Sequence, residues 1–432
     1  MQLPKALALL LALAAPAAAQ VRAFTGARIL PVSGPPIDDG VLVTDGARIV
    51  AVGRAGAVRV PAGAEEVRLA GKVLLPGLVD THSHIGQGDG GDASAPMHPD
   101  VRVLDAIDVR SDNIRRARAG GITTVNVMPG SGLLLSGQTA YLKLRDGRTL
   151  DELLLSCEDP LTGICGGIKM ANGTNPRGAP PRPGTRAKAA AIVREKFLKA
   201  VEHRAKLRAA GQDSAKRPAR DPELEALGEV LDGRRTVHFH THRHDDILTV
   251  LRLKQEFGFR VVLHHVSDAW KVAREIAAAK VPSSVIVLDS PGGKQEAIDV
   301  SMENGRALDE AGAEVGFHTD DGITDSRFFL RSAVLAVRAG MSRQKALEAL
   351  TIAGARMLDV DRRVGTLEAG KDADFVVLSG DPFSTYTHVE QTWVEGRKVF
   401  DRADPAQRPY QLGGYGVFND RHEHTSEWED ER

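Results

Sequence analysis

The chain contains little cysteine, no surplus of either charge and, beyond its amino terminus, no long apolar run. Two cysteines in 432 residues are too few for a zinc site built from thiolates. Lys and Arg number 56 against 57 Asp and Glu, so no overall charge favours nucleic acid or an anionic surface. A membrane span needs roughly 20 apolar residues, which no later stretch provides. Any attraction of a ligand must therefore be local.

The amino terminus predicts a secretory signal peptide at residues 1–19. It carries one lysine, an Ala/Leu core and three alanines before Gln20, which are typical of a cleavage site. No cysteine lies beside that site, which argues against a lipoprotein. We therefore expect an exported protein, either periplasmic or secreted. In an oxidising compartment we expect Cys157 and Cys165 to form a disulfide, and two buried thiols are the alternative.

Two β-rich segments lie near the ends of the mature chain. Short apolar runs separated by Gly and Asp fill residues 20–75, and similar runs return over residues 362–400. We expect these two segments to assemble one discontinuous β-sandwich domain. Residues 401–432 are expected to form a polar tail.

Residues 76–361 alternate apolar strands with helical patterns, which is typical of βα units around a parallel sheet. This length fits a (β/α)8 TIM-like barrel, whose active site lies at the carboxyl ends of the strands. An insertion at residues 175–232 is expected to cap or flank the barrel mouth, although its charges could equally form a solvated helix face. The expected strands are 79–82, 123–127, 167–170, 236–240, 260–264, 285–288 and 314–318, and the expected helices include 105–119, 246–257, 269–279 and 327–339.

His82 and His84 stand two residues apart at the end of an expected strand. Because alternate side chains of a strand share a face, both could bind one cation. The same spacing in an exposed loop would mean nothing, so the pair alone decides little. A larger set of histidines ends the expected strands, however, and this set favours a metal site over isolated core histidines. It comprises His82, His84, His238, His240, His242, His264, His265 and His318.

Further motifs accompany these strand ends. They lie at residues 75–84, 120–124, 167–176, 240–247, 265, 319–327 and 365–374. In combination they resemble the amidohydrolase superfamily, specifically its imidazolonepropionase-like branch, which includes exported dipeptidase-like hydrolases. The resemblance covers about residues 21–400 and implies a metal-bearing barrel beside a terminal β-sandwich.

The resemblance also implies a divalent metal and its ligands. Strict alternation would turn His264 inward instead of His265, and the resemblance favours His265. Lys169 resembles a lysine that is carbamylated in binuclear relatives and bridges two metals, whereas mononuclear relatives dispense with it. Zinc is favoured, with Fe, Mn or Co as alternatives, and two ions are expected if Lys169 is carbamylated, otherwise one. The implied ligands are His82, His84, His240, His265 and Asp320, with Lys169 as the bridge.

The implied reaction is hydrolysis of a C–N bond by metal-activated water, since bound zinc lowers the pKa of its water to about 7. Asp320 would act as acid and base, with His265 as a second catalytic candidate. If Asp320 is only a ligand, the proton shuttle falls to His265 or His242. His242 and Arg327 are the substrate-binding candidates. Arg327 could pair with a substrate carboxylate, or it could form an ordinary local salt bridge.

Three functions stay open from the sequence. The favoured one is an amidohydrolase that cleaves a small amide or dipeptide outside the cytoplasm. The second is hydrolysis of a cyclic, imidazolone-like amide or deamination of a heterocycle. The third is a non-catalytic binding protein on a degenerate barrel, against which the retained ligand set argues. In each case the expected partner is a small molecule, without nucleic acid or a membrane span, and formation of a homo-oligomer is left open.

Overall fold

The computed structural model describes residues 20–86, 90–155, 157, 159–286 and 294–414. The signal peptide predicted at 1–19 lies outside these ranges. So do most of the polar tail predicted at 401–432 and the end of the strand expected at 285–288. Within the described ranges, every helix is too short or too polar to cross a membrane.

The strands of the described residues fall into three sheets. In chain order they are β1 (Val21–Ile29), β2 (Ile37–Asp45), β3 (Arg48–Arg54), β4 (Glu65–Arg68), β5 (Val73–Pro76), β6 (Leu78–Ser83), β7 (Ile122–Val127), β8 (Leu135–Gln138), β9 (Ala140–Lys143), β10 (Ile168–Ala171), β11 (Val237–Thr241), β12 (Val261–His265), β13 (Ser283–Val285), β14 (Val315–Phe317), β15 (Phe375–Leu378), β16 (Val389–Val394) and β17 (Arg397–Asp401).

Helices alternate with the strands through the middle of the chain. They are α1 (Asp112–Ala119), α2 (Arg186–Ala210), α3 (Pro222–Leu231), α4 (His244–Phe257), α5 (Ala273–Ala278), α6 (Asn304–Glu310), α7 (Phe329–Arg338), α8 (Arg343–Leu350), α9 (Ile352–Met357) and α10 (Pro409–Leu412). Short 3-10 turns precede several of them.

Strands from both ends of the chain share one sheet, in the order β17-β16-β15-β5-β1-β2-β3, with β4 paired to β1. The join is between β15 and β5, which run antiparallel with Phe375 opposite Pro76. The Phe24 ring of β1 packs edge-on against Phe375 at 4.8 Å between centroids. The two β-rich segments therefore do come together in one sheet. Their packing into a two-layer sandwich stays a prediction.

The middle of the chain builds a largely parallel arrangement. Strands β10 to β14 lie side by side in parallel, and β6 pairs in parallel with β7. Two antiparallel strands that the sequence did not indicate, β8 and β9, pair with β10 and β7. The mixed α/β class is confirmed, and closure into an eight-stranded barrel stays a prediction. The Asp320 N–H donates to the His82 carbonyl at 2.9 Å, which holds the ends of β14 and β6 together.

Strand β11 shows how the sequence places functional groups. Val237 and Phe239 alternate with His238 and His240, and all four side chains are buried. Because alternate side chains share a face, one face of the strand packs apolar residues while the other carries the imidazoles. A strand covered on both faces is expected in parallel sheets flanked by helices.

Several predicted helices differ at their ends. The helix expected at 105–119 begins only at Asp112, after Ser111, and residues 103–105 form a separate 3-10 turn. The helix expected at 269–279 divides into a 3-10 turn and α5. The predicted insertion contains α2 and α3, and Phe197 of α2 packs 5.1 Å from the Phe257 ring at the end of α4. The insertion therefore flanks α4.

The two cysteines form a disulfide, as the sequence predicted. Cys157 and Cys165 are bonded across a separation of 8 residues. The alternative of two buried thiols is thereby wrong. Such bonds persist in oxidising compartments and are rare in the cytosol.

Candidate metal centre

Three groups of imidazole and carboxylate side chains meet at the carboxyl ends of β6, β11, β12 and β14. In each group the potential ligand atoms lie within 4.8 Å of one another. Each group could hold a metal ion, and two of them share His82. The groups are His82, His84 and Asp320, then His240, His242 and His265, and finally His82, His264 and His318.

The first group shows how hydrogen bonds orient a metal ligand. His84 Nδ1 lies 2.8 Å from the Met128 carbonyl oxygen, which can only accept, so Nδ1 carries the proton. In the neutral ring, the lone pair of Nε2 therefore faces Asp320 Oδ1 at 3.1 Å. Two acceptors facing each other need a proton or a cation between them. A backbone carbonyl that fixes the far nitrogen is also the usual support of a metal-bound histidine.

The charges in this group depend on Asp320. Burial alone would raise the pKa of Asp320, but the neighbouring His82, His265 and His84 hold it well below its ordinary value. Burial would likewise lower the pKa of His84, and the bond to Asp320 outweighs it, so this pKa is raised. Burial and then the charge of Lys169 hold the pKa of His82 well below its ordinary value. A carboxylate therefore stands beside one neutral and one readily protonated imidazole.

The second group consists of buried, neutral imidazoles. Neither ring nitrogen of His240 has a hydrogen-bond partner among the described residues, and Nε2 of His265 has none. His242 Nδ1 bonds to the Ser267 hydroxyl at 2.7 Å. Burial is the main reason why the pKa of His242 is lowered to about 3. A histidine binds a metal through the lone pair of a neutral ring, and these imidazoles are neutral and have unpartnered nitrogens.

The side chains of His265 and His264 lie on different sides of the end of β12. His265 has a φ of 70°, so the backbone bends there and the simple alternation of β12 stops. Its Nδ1 lies 3.8 Å from Asp320 Oδ2, and its ring centroid lies 4.4 Å from that of His240. His264 Nε2 instead bonds to His238 Nδ1 at 2.9 Å. The structure thus brings His265 to Asp320 and His240, as the resemblance implied.

Lys169 lies inside the cluster. Its side chain is fully buried on β10, and its Nζ is 3.0 Å from His82 Nε2 and 3.0 Å from Met128 Sδ. Gly167, two residues earlier, leaves room for the His238 ring, which a Cβ would meet at 2.4 Å. The predicted bridging position is therefore next to the first group, and carbamylation stays a prediction.

Three further buried groups belong to this cluster. His238 and His318 were in the predicted set of strand-end histidines but not in the implied ligand set, and Asp80 was not predicted. The His318 ring stacks on that of His82 at 5.0 Å and bonds to Ser284 through Nδ1 at 2.9 Å. His238 Nε2 lies 2.8 Å from the Tyr141 hydroxyl. Burial raises the pKa of Asp80 to about 7, against the hydrogen bonds that it accepts from the backbone and side chain of Thr319. Period-two spacing from His82 could have found Asp80.

Arg327 has its own partner. Its Nε and Nη2 donate to the two carboxylate oxygens of Asp325 at 3.0 and 2.8 Å, and Nη1 donates to the Gln411 carbonyl at 3.2 Å. None of the three histidine groups includes it. The structure therefore shows the local salt bridge that the sequence left as the alternative to a substrate-binding role.

The donor set fits a divalent metal ion. Buried polar atoms are almost always hydrogen-bonded, and leaving one unmade costs about 1–3 kcal/mol. Here five buried imidazole nitrogens of the three groups lack a partner among the described residues, and the carboxylate of Asp320 belongs to one of these groups. Nitrogen and oxygen donors of this kind suit zinc and other first-row metals. The unpartnered atoms are His82 Nδ1, His240 Nδ1 and Nε2, His264 Nδ1 and His265 Nε2.

Comparison with known proteins gives relatives over most of the chain. A solved amidohydrolase from Thermotoga maritima MSB8 has 32% sequence identity and a TM-score of 0.82, covering 88% of this chain and 100% of that one. Amidohydrolase tasK from Hapsidospora irregularis is 26% identical over 368 residues, which are 79% of this chain and 38% of tasK. The chain thus spans little more than a third of that relative's length.

A 5-methylthioadenosine/S-adenosylhomocysteine deaminase from Symbiobacterium thermophilum is 23% identical over 423 residues, covering 87% of this chain and 92% of the deaminase. Residues 73–399 match the Amidohydrolase family, Amidohydro_1. This match covers well over half of the chain and includes every residue of the three histidine groups. The chain therefore belongs to the amidohydrolase family.

Proposed function

We propose that the chain is a metal-dependent hydrolase that cleaves a C–N bond of a small amide or dipeptide. One observation carries the proposal: three groups of imidazoles meet at neighbouring strand ends, one group includes the carboxylate of Asp320, and five of their buried ring nitrogens have no hydrogen-bond partner among the described residues. We further propose a closed (β/α)8 barrel as the scaffold, since this fold places its active site at the carboxyl ends of the strands. Zinc is the ion we favour, because neutral imidazole and carboxylate together suit it.

Asp320 is the residue that we propose moves the proton. Its Oδ1 faces His82 Nε2 at 3.2 Å and His84 Nε2 at 3.1 Å, whereas Oδ2 lies 3.8 Å from His265 Nδ1. Oδ2 is thus the less engaged oxygen and the one that accepts a proton. When bound, the metal supplies Lewis acidity and a water molecule that is acidic near neutral pH. Asp320 then returns the proton to the leaving nitrogen, which would otherwise depart as an unstable anion.

The histidines around Asp320 keep it anionic and in place. The backbone N–H of Asp320 donates to the His82 carbonyl, so the carboxylate is anchored to the strand end that carries two ligands. His242 is held by Ser267 and contributes a neutral ring to the second group. We propose that His242 either completes that group or contacts the substrate.

Lys169 determines how many ions the site holds. An unmodified ammonium beside His82 repels a cation, whereas a carbamate on the same nitrogen is an anionic ligand. We propose two ions when Lys169 is carbamylated and one when it is not. Counting metal per chain in the presence and absence of bicarbonate, with Lys169→Arg as the control, distinguishes these states.

Deamination of a heterocycle is the second candidate function. A relative that matches nearly the whole chain is named as a deaminase of methylthioadenosine and S-adenosylhomocysteine. The proposed residues would act alike on an exocyclic amine or a cyclic amide, because in both cases water attacks an sp² carbon and a nitrogen is protonated. The substrate panel below includes both classes.

Export is also part of the proposal. The segment at 1–19 has the composition of a signal peptide, and the disulfide between Cys157 and Cys165 suits an oxidising compartment. Fractionation of cells expressing the full chain, with determination of the mature amino terminus, tests this. Residence of the uncleaved chain in the cytoplasm would overturn it.

The function is tested with metal analysis and a panel of dipeptides, N-acyl amino acids, lactams and adenosine derivatives. We expect activity on at least one class that is lost on chelation and restored by zinc. Asp320→Asn should lower kcat about 10³-fold, within the usual range for loss of an acid/base residue. Asp325→Asn, which changes a carboxylate of the same loop outside the histidine groups, is the matched control. A metal-free, inert protein would refute both enzymatic readings.

A further inference from the structure

Lys294 is a half-buried cation beside the histidine groups that the proposed reaction does not use. Lys294 follows strand β13 in the chain. The two preceding strands carry the histidines: His265 ends β12, and His240 lies on β11. Its Nζ donates to Asn175 Oδ1 at 2.8 Å. Across the described ranges no carboxylate forms an ion pair with it, whereas other half-buried cations such as Lys72 and Arg186 each have one.

Two contacts hold this lysine in position. The loop after β10 brings Asn175 to Lys294, and one residue earlier the Thr174 N–H donates to Glu296 Oε2 at 2.7 Å. Gly173 makes the approach possible, because a Cβ there would lie 2.5 Å from Glu296 Oε2 and its φ is 85°. The loop after β10 and the segment after β13 are thus joined at two successive residues.

The same loop is tied to the end of β11. The Asn172 N–H donates to the His240 carbonyl at 3.2 Å, and the Asn172 side chain donates to the Asp246 carbonyl at 3.0 Å. Lys294 is therefore presented at the edge where the second histidine group lies. Lys294 is close enough to His242 to affect its pKa. After burial, the charge of Lys294 is the largest influence that lowers this pKa.

The two nearby carboxylates bind groups other than Lys294, and Oε1 of Glu296 has no hydrogen-bond partner among the described residues. Glu296 accepts from Thr174 and faces Arg186 Nη2 at 3.4 Å, and Asp246 accepts from Arg186 Nε at 2.8 Å. Arg186 therefore serves these two acids while Lys294 is held by an amide oxygen, which carries no charge. A half-buried cation held by a neutral group is stabilised by an anion that enters beside it.

We propose that Lys294 binds a carboxylate of the substrate, so that the enzyme prefers amides that carry a free carboxylate, such as N-acyl amino acids or dipeptides. This inference rests on the proposed hydrolase function and adds its substrate class. A single ammonium is a point charge, which suits one carboxylate better than a group that needs a bidentate fork. Lys294 takes the carboxylate-binding role for which Arg327 was one candidate in the sequence.

The test is a binding measurement that needs no turnover. Calorimetry compares N-acetylglycine, N-acetyl-L-leucine and glycyl-L-leucine, each with its primary amide, on the zinc-loaded full chain. We expect the acids to bind about 10- to 100-fold more tightly than the amides, the usual value of a charge-assisted bond. Lys294→Met should abolish this preference and Lys294→Arg should retain part of it. Lys72→Met, which removes a lysine paired with Glu390 in the terminal sheet, should change nothing.

Two outcomes would overturn the inference: acids that bind no better than amides, or a preference that survives in Lys294→Met. Absence of binding by all three acids would also overturn it. Failure of the proposed function looks different, because it would appear as absence of chelator-sensitive hydrolysis on every substrate class. The binding preference and its loss in Lys294→Met can be measured in either case.

Discussion

Two buried polar clusters of this chain differ in how completely their atoms are paired. The first is the histidine cluster at the ends of β6, β11, β12 and β14. The second, here called the ion cluster, joins β9 to the terminal sheet. It is built around Lys143, whose Nζ donates to Asp372 Oδ2 at 2.6 Å and to Asp374 Oδ2 at 2.5 Å. Its members are Arg48, Lys143, Arg145, Arg363, Asp372, Asp374 and Glu395.

We interpret this difference as the one between a structural cluster and a binding site. In the ion cluster the buried polar atoms all have partners, and the Asp374 Oδ1 also accepts the N–H of Glu395 at 2.8 Å. In the histidine cluster five ring nitrogens have none among the described residues. A fully paired cluster is complete without a ligand, whereas unpaired buried atoms carry a cost that a bound ion or another polar partner removes.

The largest expected effect is a loss of folding stability in Lys143→Ala, which breaks the ion cluster. Removing one partner of a buried ion pair leaves an uncompensated charge and typically costs about 3–5 kcal/mol in the free energy of unfolding. Asp374 would keep only the Glu395 N–H, whereas Asp372 retains Arg48 and Arg363. Chemical denaturation measures the loss, and metal content per folded chain should not change.

Two further variants make this prediction specific. Adding Asp374→Asn to Lys143→Ala should recover part of the lost stability, because the buried carboxylate no longer needs a cation. Lys188→Ala removes an exposed lysine of α2 and should change stability by less than about 0.5 kcal/mol. Equal losses in Lys143→Ala and Lys188→Ala would show that the ion cluster does not stabilise the fold.

The sequence predicted the histidine cluster better than the ion cluster. Periods of two along strands identified His82, His84 and His240, because alternation is a local property of the backbone. His265 needed the family resemblance, since its positive φ breaks that alternation. Lys143 could not be found, because its acidic partners lie about 230 residues further along the chain, and only the pairing of β15 with β5 brings them near.

Local patterns also misplaced some details, for physical reasons. The helix predicted from residue 105 begins at Asp112, because residues 103–105 form a separate 3-10 turn. The antiparallel strands β8 and β9 were missed, since each is four residues long and carries little periodic signal. Arg327 was a substrate-binding candidate, but the bidentate partner is supplied by Asp325, two residues away.

The two clusters should also differ in how stability depends on pH. In the metal-free protein, burial is the first cause that lowers the pKa of His238, His242 and His318 to about 3. Below about pH 6.5 these histidines bind protons in the unfolded chain but stay neutral in the folded one. The free energy of unfolding therefore falls as the pH falls from 6.5 towards 3. Each histidine contributes about 1.4 kcal/mol per pH unit within that window.

Asp372 of the ion cluster should respond only at lower pH. Despite burial, the Lys143 and Arg363 cations lower the pKa of Asp372, so the stability it contributes is present above the unfolded value near 4 and is lost below it. Urea titrations of the chelated protein at pH values from 7 to 4 measure the slope. His318→Gln should reduce it by about 1.4 kcal/mol per unit, and an unchanged slope would contradict a neutral buried His318.

The smallest effect comes from two histidines on the same strand. Both ring nitrogens of His240 lack partners in the described part of the chain, whereas His238 bonds to Tyr141 at 2.8 Å and to His264 at 2.9 Å. In the metal-free protein, His240→Leu should therefore raise the free energy of unfolding by about 1–2 kcal/mol, because an unpaired polar group is replaced by an apolar one of similar size. His238→Leu should lower it by about 1–3 kcal/mol, because Tyr141 and His264 lose their partner.

With zinc present, His240→Leu should instead be less stable than the wild-type chain, because it loses the stabilisation that the ion gives the wild-type chain. If both substitutions destabilise the metal-free protein equally, the unpaired nitrogens of His240 impose no cost, and the distinction between a complete and an incomplete cluster fails.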